Sequence, residues 1–524
     1  MSSVGAAFRL VRAGWIMARE GVIAALPGDE LSGLPKLGWR MARLLTRWRV
    51  RGRDRGQRLA DAVARLGPSY VKLGQFLATR PDVVGAEIAR DLSKLQDRMA
   101  TFPTSEAVAA IEASLGRPID ELYEEFGAPV AAASIAQVHP ARVQYENVSE
   151  RMAVKVIRPG VRRLFHRDLE SYFLAARLQE RFIPATRRLR PVEVTRILAQ
   201  TTRVEMDLRL EAAALSELAE NTAGDPGFRV PKVDWERTGR DVLTMQWIDG
   251  IKLNDIEALR ATGLDLEKLA ANLVQSFLRH TLRDGFFHAD MHPGNLFVEA
   301  DGTIVAVDLG ITGRLGKKER RFLAEILYGF ITRDYRRTAE VHYEAGYVPR
   351  THSVDAFAQA IRAIGEPIHG QSAETISMAR LLTLLFEVTE LFDMETRPEL
   401  LMLQKTMVVV EGVARTLDPH FNMWKTSEPV VGDWIRNNLG PRGMMEDARE
   451  GVSALVSLMR QAPDLAARTE RLSREIDQMA EHGLRFDEAT ARAIGKAEAR
   501  STRSGRIALW IIAAAAVYLA WIVS

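Results

Sequence analysis

The sequence predicts an α+β fold of two lobes, with a helical extension before them and a transmembrane helix after them. Three observations indicate this arrangement. Between residues 129 and 250, β-like apolar runs at 141–144, 153–157 and 242–247 alternate with long helical segments. Residues 251 to about 440 are mostly helical in pattern, and residues 507–523 are uninterrupted apolar sequence. With 524 residues, the chain is long enough for two or three domains with well-formed cores.

Changes in pattern and composition divide the chain into six predicted segments. They are a basic amphipathic lead (1–57), a helical extension (58–128), an N-lobe (129–250), a C-lobe (251–440), a helical stalk (441–505) and a transmembrane anchor (506–524). The amphipathic pattern of the stalk is broken by Pro463.

The lead concentrates positive charge beside apolar side chains. Phe8, Val11 and Trp15 recur at helical spacing. Nine basic residues follow in a window where Asp54 is the only acid: Lys36, Arg40, Arg43, Arg47, Arg49, Arg51, Arg53, Arg55 and Arg58. Such a stretch suits the surface of an anionic membrane. Nucleic acid is not expected as a partner, because no recognised binding module accompanies the run; a helix packed on its own domain is the remaining alternative.

The apolar C-terminal run indicates a single-pass anchor. Counting its flanks, the run at 507–523 is just long enough to cross a hydrocarbon core of about 30 Å. It is preceded by Lys496, Arg500, Arg503 and Arg506, which predicts that the main chain lies in the cytoplasm. An interfacial or self-associating helix is the alternative.

Composition bears on the compartment. The chain has no cysteine, which excludes disulfides and thiolate metal sites and suits a reducing compartment. Its net charge is only +3, so the distribution of charge is more informative than the total. Charges interrupt the first apolar runs, which argues against a secretory signal, whereas an arginine-rich start also resembles an organellar transit peptide. We expect a bacterial inner membrane, with the catalytic domain on its cytoplasmic side.

The residues that indicate chemistry lie in the predicted C-lobe. Residues 288–295 read His-Ala-Asp-Met-His-Pro-Gly-Asn, and Asp-Leu-Gly follows an apolar run at 308–310. This order and spacing match the kinase catalytic loop and its D-F-G partner. Phosphoryl transfer needs oxygen ligands for Mg²⁺ and a carboxylate that faces the attacking group. We assign Asp290 as that carboxylate, and Asn295 and Asp308 as metal ligands.

A lysine inside an apolar strand supports the same chemistry. Lys155 lies in the run 152–157, where burying an unpaired ammonium would be costly. In kinases, a lysine at this place grips the α- and β-phosphates and pairs with a helix glutamate. Glu211, in a segment of high helix propensity, is the expected partner. The alternative is a surface lysine at a strand end.

One part of the kinase pattern is replaced. Where a glycine-rich loop is expected over the nucleotide phosphates, the chain has Ala131, Ala132, Ala133 and Ser134. Glycine lets backbone amides approach phosphate and adopt positive φ, which alanine permits much less. We expect the alanine-rich loop to contact nucleotide differently from an ordinary kinase. Met245 and Trp247, in the segment between the lobes, are the expected adenine contacts through their backbone.

Two further motifs complete a family resemblance. One is the K-x-G-Q segment from Lys72 to Gln75, and the other is Glu-Met-Asp at 205–207, six residues ahead of Glu211. With Ala-Ser-Ile-Ala-Gln-Val-His at 133–139, they make the sequence similar to the UbiB family of atypical protein-kinase-like proteins. The resemblance covers about residues 59–330.

The resemblance implies a fold and a function. It implies a protein-kinase-like fold that binds ATP and Mg²⁺, acts as an ATPase or small-molecule kinase, and supports ubiquinone biosynthesis. The K-x-G-Q extension would fold over the active site, with Lys72 reaching Glu205 and Asp207, and with Gln75 lining the nucleotide site. The implied partners are a lipid membrane and isoprenoid quinone intermediates. Other quinone-biosynthesis proteins and a second copy of the chain are further candidates.

Other functions draw less support from the same residues. A non-catalytic lipid scaffold that uses nucleotide as a structural ligand is compatible with the alanine-rich loop. A metal-dependent hydrolase built on His288, Asp290 and His292 is disfavoured, because no distant histidine pair of similar spacing accompanies them. Ring hydroxylation is disfavoured because the sequence has no flavin-type glycine motif and no evident iron triad.

Overall fold

The computed structural model describes residues 3–23, 43–44, 46, 54–78, 80, 84, 86–92, 95, 99–146, 148–182, 187, 189–370, 388, 391–394 and 398–440. Residues 1–435 form one compact unit, and of the second unit, 436–524, only the first five residues are described. The predicted stalk and anchor therefore lie outside the described residues. Within the ranges just given, no helix is both long and apolar enough to cross a bilayer.

Among the described residues, six helices precede or flank the first sheet. They are α1 (Ser3–Arg19), α2 (Arg55–Leu66), α3 (Pro68–Ala78), α4 (Ala86–Leu92), α5 (Thr104–Leu115) and α6 (Ile119–Leu122). The Asp54 carboxylate caps α2 by accepting a hydrogen bond from the Gly56 N–H. Pro68 starts α3, where its missing N–H costs nothing. The K-x-G-Q segment thus lies on a helix of its own.

The N-lobe is built on an antiparallel sheet. Its strands are β1 (Glu125–Phe126), β2 (Ala131–Ala132), β3 (Ala136–Tyr145), β4 (Val148–Ile157) and β6 (Val242–Gln246). The order is β1-β3-β4-β6, with β2 also paired to β3. The strand-like runs predicted at 141–144, 153–157 and 242–247 fall in this sheet, although the last strand ends one residue earlier. The first strand starts before the predicted N-lobe boundary at 129.

Three long helices enlarge the N-lobe, as the sequence predicts. They are α7 (Val161–Phe182), α8 (Pro191–Glu205) and α9 (Leu208–Thr222). The Asp207 carboxylate caps α9 by accepting from the Arg209 N–H. Leu208, Leu215 and Leu218 of α9 are fully buried, which fixes the face that this helix turns to the core.

The C-lobe is mostly helical, as predicted, and also holds short strands. The strands are β5 (Phe228–Arg229), β7 (Ile251–Lys252), β8 (Phe286–His288), β9 (Leu296–Val298), β10 (Ile304–Ala306) and β11 (Thr312–Arg314). The helices are α10 (Ile256–Ala261), α11 (Leu266–Arg279), α12 (Lys317–Thr332), α13 (Tyr335–Glu344), α14 (Val354–Gly370), α15 (Pro398–Leu417) and α16 (Met423–Asn438).

The short strands hold the predicted catalytic segments in place. They form a sheet of order β5-β10-β9-β7 and a separate pair, β8 with β11. The loop 289–295 leaves β8, and the Asp-Leu-Gly segment lies between β10 and β11. Phe287, Leu296 and Ala306 are buried in the core beneath. The chain then enters α12 soon after β11, so the segment that follows Asp308 is short.

Candidate active site

Lys155 lies at the centre of the candidate site. Its Nζ donates to both carboxylate oxygens of Glu211, at 2.7 and 2.9 Å, and lies 3.1 Å from Oδ1 of Asp308. Strand β4 places the lysine at the core, where only 8% of it is exposed. The ion pair expected between Lys155 and Glu211 is therefore present, and it joins the N-lobe sheet to α9. The contact with Asp308 joins both to the C-lobe.

The charges in this cluster depend on one another. Burial raises the pKa of Glu211 to about 7, against the opposing effect of the Lys155 ammonium. Burial alone would lower the pKa of Lys155, but the carboxylates of Asp308 and Glu211 outweigh it and raise the pKa. The same ammonium holds the pKa of Asp308 below its usual range. Lys155 therefore stays charged and Asp308 stays ionised at neutral pH.

Asp308 has an unusual backbone conformation. Its φ is +60°, in the left-handed region that Asp tolerates better than most residues. Its side chain is 47% exposed, whereas the following Leu309 is buried at 2% exposure. The leucine thus takes the place of the apolar D-F-G residue, while the carboxylate remains accessible to a ligand. Such strained residues cluster at functional sites.

Asp290 and Asn295 are brought together by the loop. The Asn295 side-chain amide donates to the Asp290 carbonyl at 3.1 Å and to its carboxylate at 3.4 Å. The Asn295 backbone N–H donates to the His292 carbonyl, and the Asn295 carbonyl accepts from the Val307 N–H. The loop is therefore tied to the residue before Asp308. These contacts hold the three predicted catalytic and metal residues in one region.

The donor set fits Mg²⁺. Asp308 offers an ionised, half-exposed carboxylate. Because the Asn295 amide nitrogen is engaged by Asp290, its oxygen is left as an acceptor. Carboxylate and amide oxygens are the ligands that hard cations prefer, and Mg²⁺ completes its shell with water and phosphate oxygens. Asn295 and Asp308 would hold the ion, which neutralises phosphate charge when bound.

The K-x-G-Q helix reaches the same region. Lys72 Nζ lies 2.6 Å from Oε2 of Glu205, and both side chains are largely buried. The Lys72 charge also helps to lower the pKa of Asp308. Gln75 lies on the same helix, three residues after Lys72, and is partly buried. The Lys72 contact with Glu205 expected from the family resemblance is therefore present.

Asp207 is placed differently from the expectation. Its carboxylate accepts from the Arg209 guanidinium at 2.7 and 2.9 Å instead of pairing with Lys72. The hydrogen bonds from Arg209 also hold the pKa of Asp207 below its usual range. The reason is local: as the cap of α9, Asp207 faces the first turn of its own helix, two residues from Arg209.

The alanine-rich loop is a tight hairpin. Ala131 and Ala132 pair with β3, and the Ala133 N–H donates to the Ala136 carbonyl at 2.8 Å. Ser134 is fully buried. Arg158 donates to the Ala133 carbonyl at 3.3 Å. Backbone groups that a glycine-rich loop would offer to phosphate are here hydrogen-bonded within the hairpin.

The segment between the lobes is also held by its neighbours. Met245 is buried in β6, opposite Ala153 of β4. The Trp247 N–H donates to the Arg151 carbonyl at 3.1 Å, and the Arg151 guanidinium lies 4.6 Å from the centre of its indole ring. Both predicted adenine contacts therefore lie at the end of the strand next to Lys155. The Trp247 N–H is already bonded, so it is a poorer candidate for adenine.

The metal site of the rival hydrolase is not assembled among the described residues. The Nδ1 atoms of His288 and His292 accept from the N–H groups of Asp290 and Gly294, both at 3.2 Å. Among the described residues, no group of three or more His, Asp or Glu side chains is arranged to hold a metal ion. The two histidines instead shape the loop.

Sequence reasoning missed the support beneath the K-x-G-Q helix. The Ser69 hydroxyl donates to the Asp168 carboxylate at 2.5 Å, and both residues are buried. The Arg9 guanidinium lies 4.0 Å from the same carboxylate and donates to Ser171 at 2.8 Å. This network joins α1, α3 and α7. The one signal for this network in the sequence is Asp168, an acidic residue on the mostly apolar buried face of α7.

Comparisons with known families agree with this geometry. Residues 94–342 match the ABC1 atypical kinase-like domain, and residues 361–422 match the UbiB helical domain. A "Probable protein kinase UbiB" from Marinobacter nauticus is 39% identical over 87% of this chain and 83% of its own length. The chain belongs to the UbiB family. Its protein-kinase-like α+β fold and kinase-like domain are those expected of a member.

The chain is also similar to a second curated relative and to a solved structure. A "Probable protein kinase UbiB" from Aeromonas hydrophila is 39% identical over 90% of this chain and 87% of its own length. Among solved structures, the Rv3197–erythromycin complex from Mycobacterium tuberculosis is 24% identical, with a TM-score of 0.45. That match covers 68% of this chain and 90% of the other.

Proposed function

We propose that this protein is a membrane-associated, Mg-dependent atypical kinase or ATPase that supports ubiquinone biosynthesis. The observation that carries the proposal is the position of Lys155 between Glu211 and Asp308. One ammonium there joins the phosphate-binding strand, the helix glutamate and the metal-binding carboxylate. The family membership and the names of the relatives supply the link to quinone biosynthesis.

The occluding helix favours a small-molecule substrate or water over a protein substrate. Lys72 of α3 pairs with Glu205, and its charge helps to lower the pKa of Asp308. Both observations support an α3 that would lie over the metal side of the site. The segment after Asp308 is short and runs through β11 directly into α12. Little platform is left for a bound peptide. ATP turnover would then drive extraction or presentation of lipid intermediates to other quinone-biosynthesis proteins.

Helix α1 supports membrane association. Phe8 and Val11 are about 70% exposed and Trp15 is 48% exposed, while Ala6 and Ala13 are buried against the protein. The helix contains three arginines and no acid, and its Arg19 guanidinium lies over the Trp15 ring. An outward apolar row among basic residues fits an anionic membrane surface. The proposed anchor at 507–523 would keep the protein at the bacterial inner membrane, on its cytoplasmic side.

Sedimentation with vesicles tests the α1 surface. We expect the full chain to bind vesicles rich in anionic phospholipid, and the triple variant Phe8→Ser, Val11→Ser, Trp15→Ser to bind them more weakly. The matched control is Val148→Ser, which removes an apolar side chain of 59% exposure from the sheet. Equal binding by the triple variant would show that Phe8, Val11 and Trp15 do not contact the membrane. Binding to neutral vesicles alone would contradict the role of charge.

A non-catalytic scaffold is the second candidate. It is favoured by the alanine-rich hairpin, in which the Ala133 N–H is bonded to Ala136 and less backbone is free for phosphate. In this case nucleotide would bind and stabilise the protein without turning over. The chain would still present lipid at the membrane.

Restoration of ubiquinone in a bacterial strain that lacks its own UbiB separates the two candidates. We expect the wild-type chain to restore quinone content and Asp308→Asn to fail at equal protein level. Asp301→Asn, an exposed turn carboxylate that accepts from the Thr303 N–H, is the matched control. Full restoration by Asp308→Asn would favour the scaffold. Failure of the wild-type chain would argue against a role in ubiquinone biosynthesis.

A further inference from the structure

The catalytic loop has a contact with a helix more than one hundred residues later in the chain. The hydroxyl of Thr406, in α15, donates to the carbonyl of Ala289 at 2.9 Å. Thr406 and Ala289 are 1% and 3% exposed. Ala289 is the residue immediately before Asp290, and Thr406 lies within the region that matches the UbiB helical domain. A polar group of the helical domain is therefore bonded to the backbone of the catalytic loop.

With this contact, both polar groups of the peptide between Ala289 and Asp290 are hydrogen-bonded. Its carbonyl, from Ala289, accepts from Thr406, and its N–H, from Asp290, donates to Nδ1 of His288 at 3.2 Å. The preceding N–H, from Ala289, donates to the carbonyl of Ile311 beyond the Asp-Leu-Gly segment. A peptide plane that is bonded at both ends cannot rotate without losing a buried hydrogen bond. The direction in which the Asp290 side chain leaves the backbone is set by this plane.

The single O–H proton of Thr406 is shared between two acceptors. The carbonyl of Met402, four residues earlier in the same helix, also lies 2.9 Å from the hydroxyl oxygen. Threonines in helices commonly donate to the carbonyl four residues earlier without any further contact. Thr416, on the same helix, does so with Gly412 at 2.8 Å and is exposed. Thr416 therefore provides a control that has the intrahelical bond but no contact with the loop.

We propose that Thr406 is a positioning residue for Asp290, through which helix α15 of the helical domain sets the orientation of the catalytic carboxylate. The inference rests on the proposed phosphoryl-transfer function. It assigns the helical domain a role inside the active site: the domain supplies the only donor that the structure gives to the Ala289 carbonyl among the described residues. We expect nucleotide binding to persist without this contact, because Thr406 is bonded to the backbone of Ala289 and not to Lys155 or Asp308.

The test compares Thr406→Val, Thr406→Ala, Thr406→Ser and Thr416→Val in the full chain. We expect the Val and Ala variants to lower kcat for Mg-ATP hydrolysis roughly 10- to 100-fold, as misplaced catalytic groups do, with KM changed by less than about twofold. Thr406→Ser should retain wild-type kcat, since it keeps the hydroxyl, and Thr416→Val should be unaffected. The Ala variant serves if the Val methyl prevents folding.

The split between kcat and KM distinguishes positioning from general destabilisation. Unchanged kcat in a folded Thr406→Ala variant would overturn the proposal, as would kcat and nucleotide affinity falling together without recovery in Thr406→Ser. Amide hydrogen exchange of residues 288–295 is a readout that needs no turnover. Faster exchange at Asp290 in Thr406→Val, but not in Thr416→Val, is expected even if the wild-type protein hydrolyses no ATP. Absence of ATP hydrolysis by the wild-type protein, together with this faster exchange, would count against the proposed function and not against the positioning role of Thr406.

Discussion

Lys72 and Glu205 form an ion pair of 2.6 Å that joins the K-x-G-Q helix α3 to the last residue of α8. The Lys72 and Glu205 side chains are only 17% and 6% exposed, so water cannot readily solvate either charge in place of its partner. Removing one member of a buried pair costs more than the pair contributes, because the remaining charge stays buried and loses the attraction of that partner. The attachment of α3 to α8 is thus sensitive to a single substitution.

A double-mutant cycle measures how strongly Lys72 and Glu205 are coupled in the folded protein. Lys72→Met should lower the free energy of unfolding by about 3 kcal/mol, since it removes the Lys72 ammonium from a carboxylate that is only 6% exposed. Adding Glu205→Gln should recover part of that loss, which chemical denaturation can measure. Arg142→Met, at the exposed ion pair of Arg142 with Glu125, should cost less than about 1 kcal/mol. Strictly additive losses at Lys72 and Glu205 would show that the pair is not coupled.

The Ser69 hydroxyl should matter out of proportion to its size. Ser69→Ala removes the donor to Asp168, a carboxylate that is 5% exposed, and we expect a loss of about 1–3 kcal/mol of unfolding free energy. Exchange of the α3 amides should accelerate as well, because the bond anchors this helix to α7. Ser149→Ala, whose hydroxyl bonds Glu124 at an exposed site, should change stability by no more than about 0.5 kcal/mol. Equal effects of the two variants would contradict the anchoring role.

Lys155→Met should weaken nucleotide binding. Hydrogen bonds to charged groups contribute roughly 1.5–3 kcal/mol, so we expect the Kd of Mg-ATP to rise about 10- to 100-fold in calorimetric titration. The variant also leaves the Glu211 and Asp308 carboxylates without their shared cation. Lys252→Met, which removes an exposed lysine of β7, is the matched control. Unchanged affinity in Lys155→Met would exclude this lysine from phosphate binding.

A pH-dependent contribution to stability is expected at Asp225. Burial would raise its pKa, but hydrogen bonds from His280 and Arg283 outweigh burial and hold the pKa well below the usual range. A lowered pKa stabilises the fold above the ordinary Asp value of about 3.9, and this contribution is lost as the pH falls below it. Asp225→Asn should therefore cost roughly 1–2 kcal/mol at pH 7 and progressively less below about pH 4. A gap between variant and wild type that stays constant with pH would contradict this.

The sequence predicted the parts of the site that follow from short-range order. The spacing of Asp290 and Asn295 places both on one loop, and a lysine in an apolar strand implies a carboxylate partner, which is Glu211 in the structure. The strands of the N-lobe sheet also follow from apolar runs. These features depend on periodicity and on the cost of an unpaired buried charge, both of which can be read from neighbouring residues.

The supporting contacts could not be predicted in this way. Ser69 and Asp168 are 99 residues apart, and Thr406 and Ala289 are 117 residues apart. Such pairs depend on how helices pack in three dimensions, for which a single sequence carries no periodic signal. Asp207 shows the converse: a local cap and a neighbouring arginine determine its partner, whereas the family resemblance implied Lys72.

The most direct test of the central claim is Mg-dependent ATP hydrolysis by the purified full chain and by Asp308→Asn, with and without anionic vesicles. Loss of the metal-binding carboxylate should lower turnover by at least roughly 100-fold while the variant remains folded, because Mg²⁺ would no longer be held against the phosphates. Asp301→Asn should match the wild-type protein. Turnover that is unchanged in a folded Asp308→Asn variant would contradict the assignment of this site.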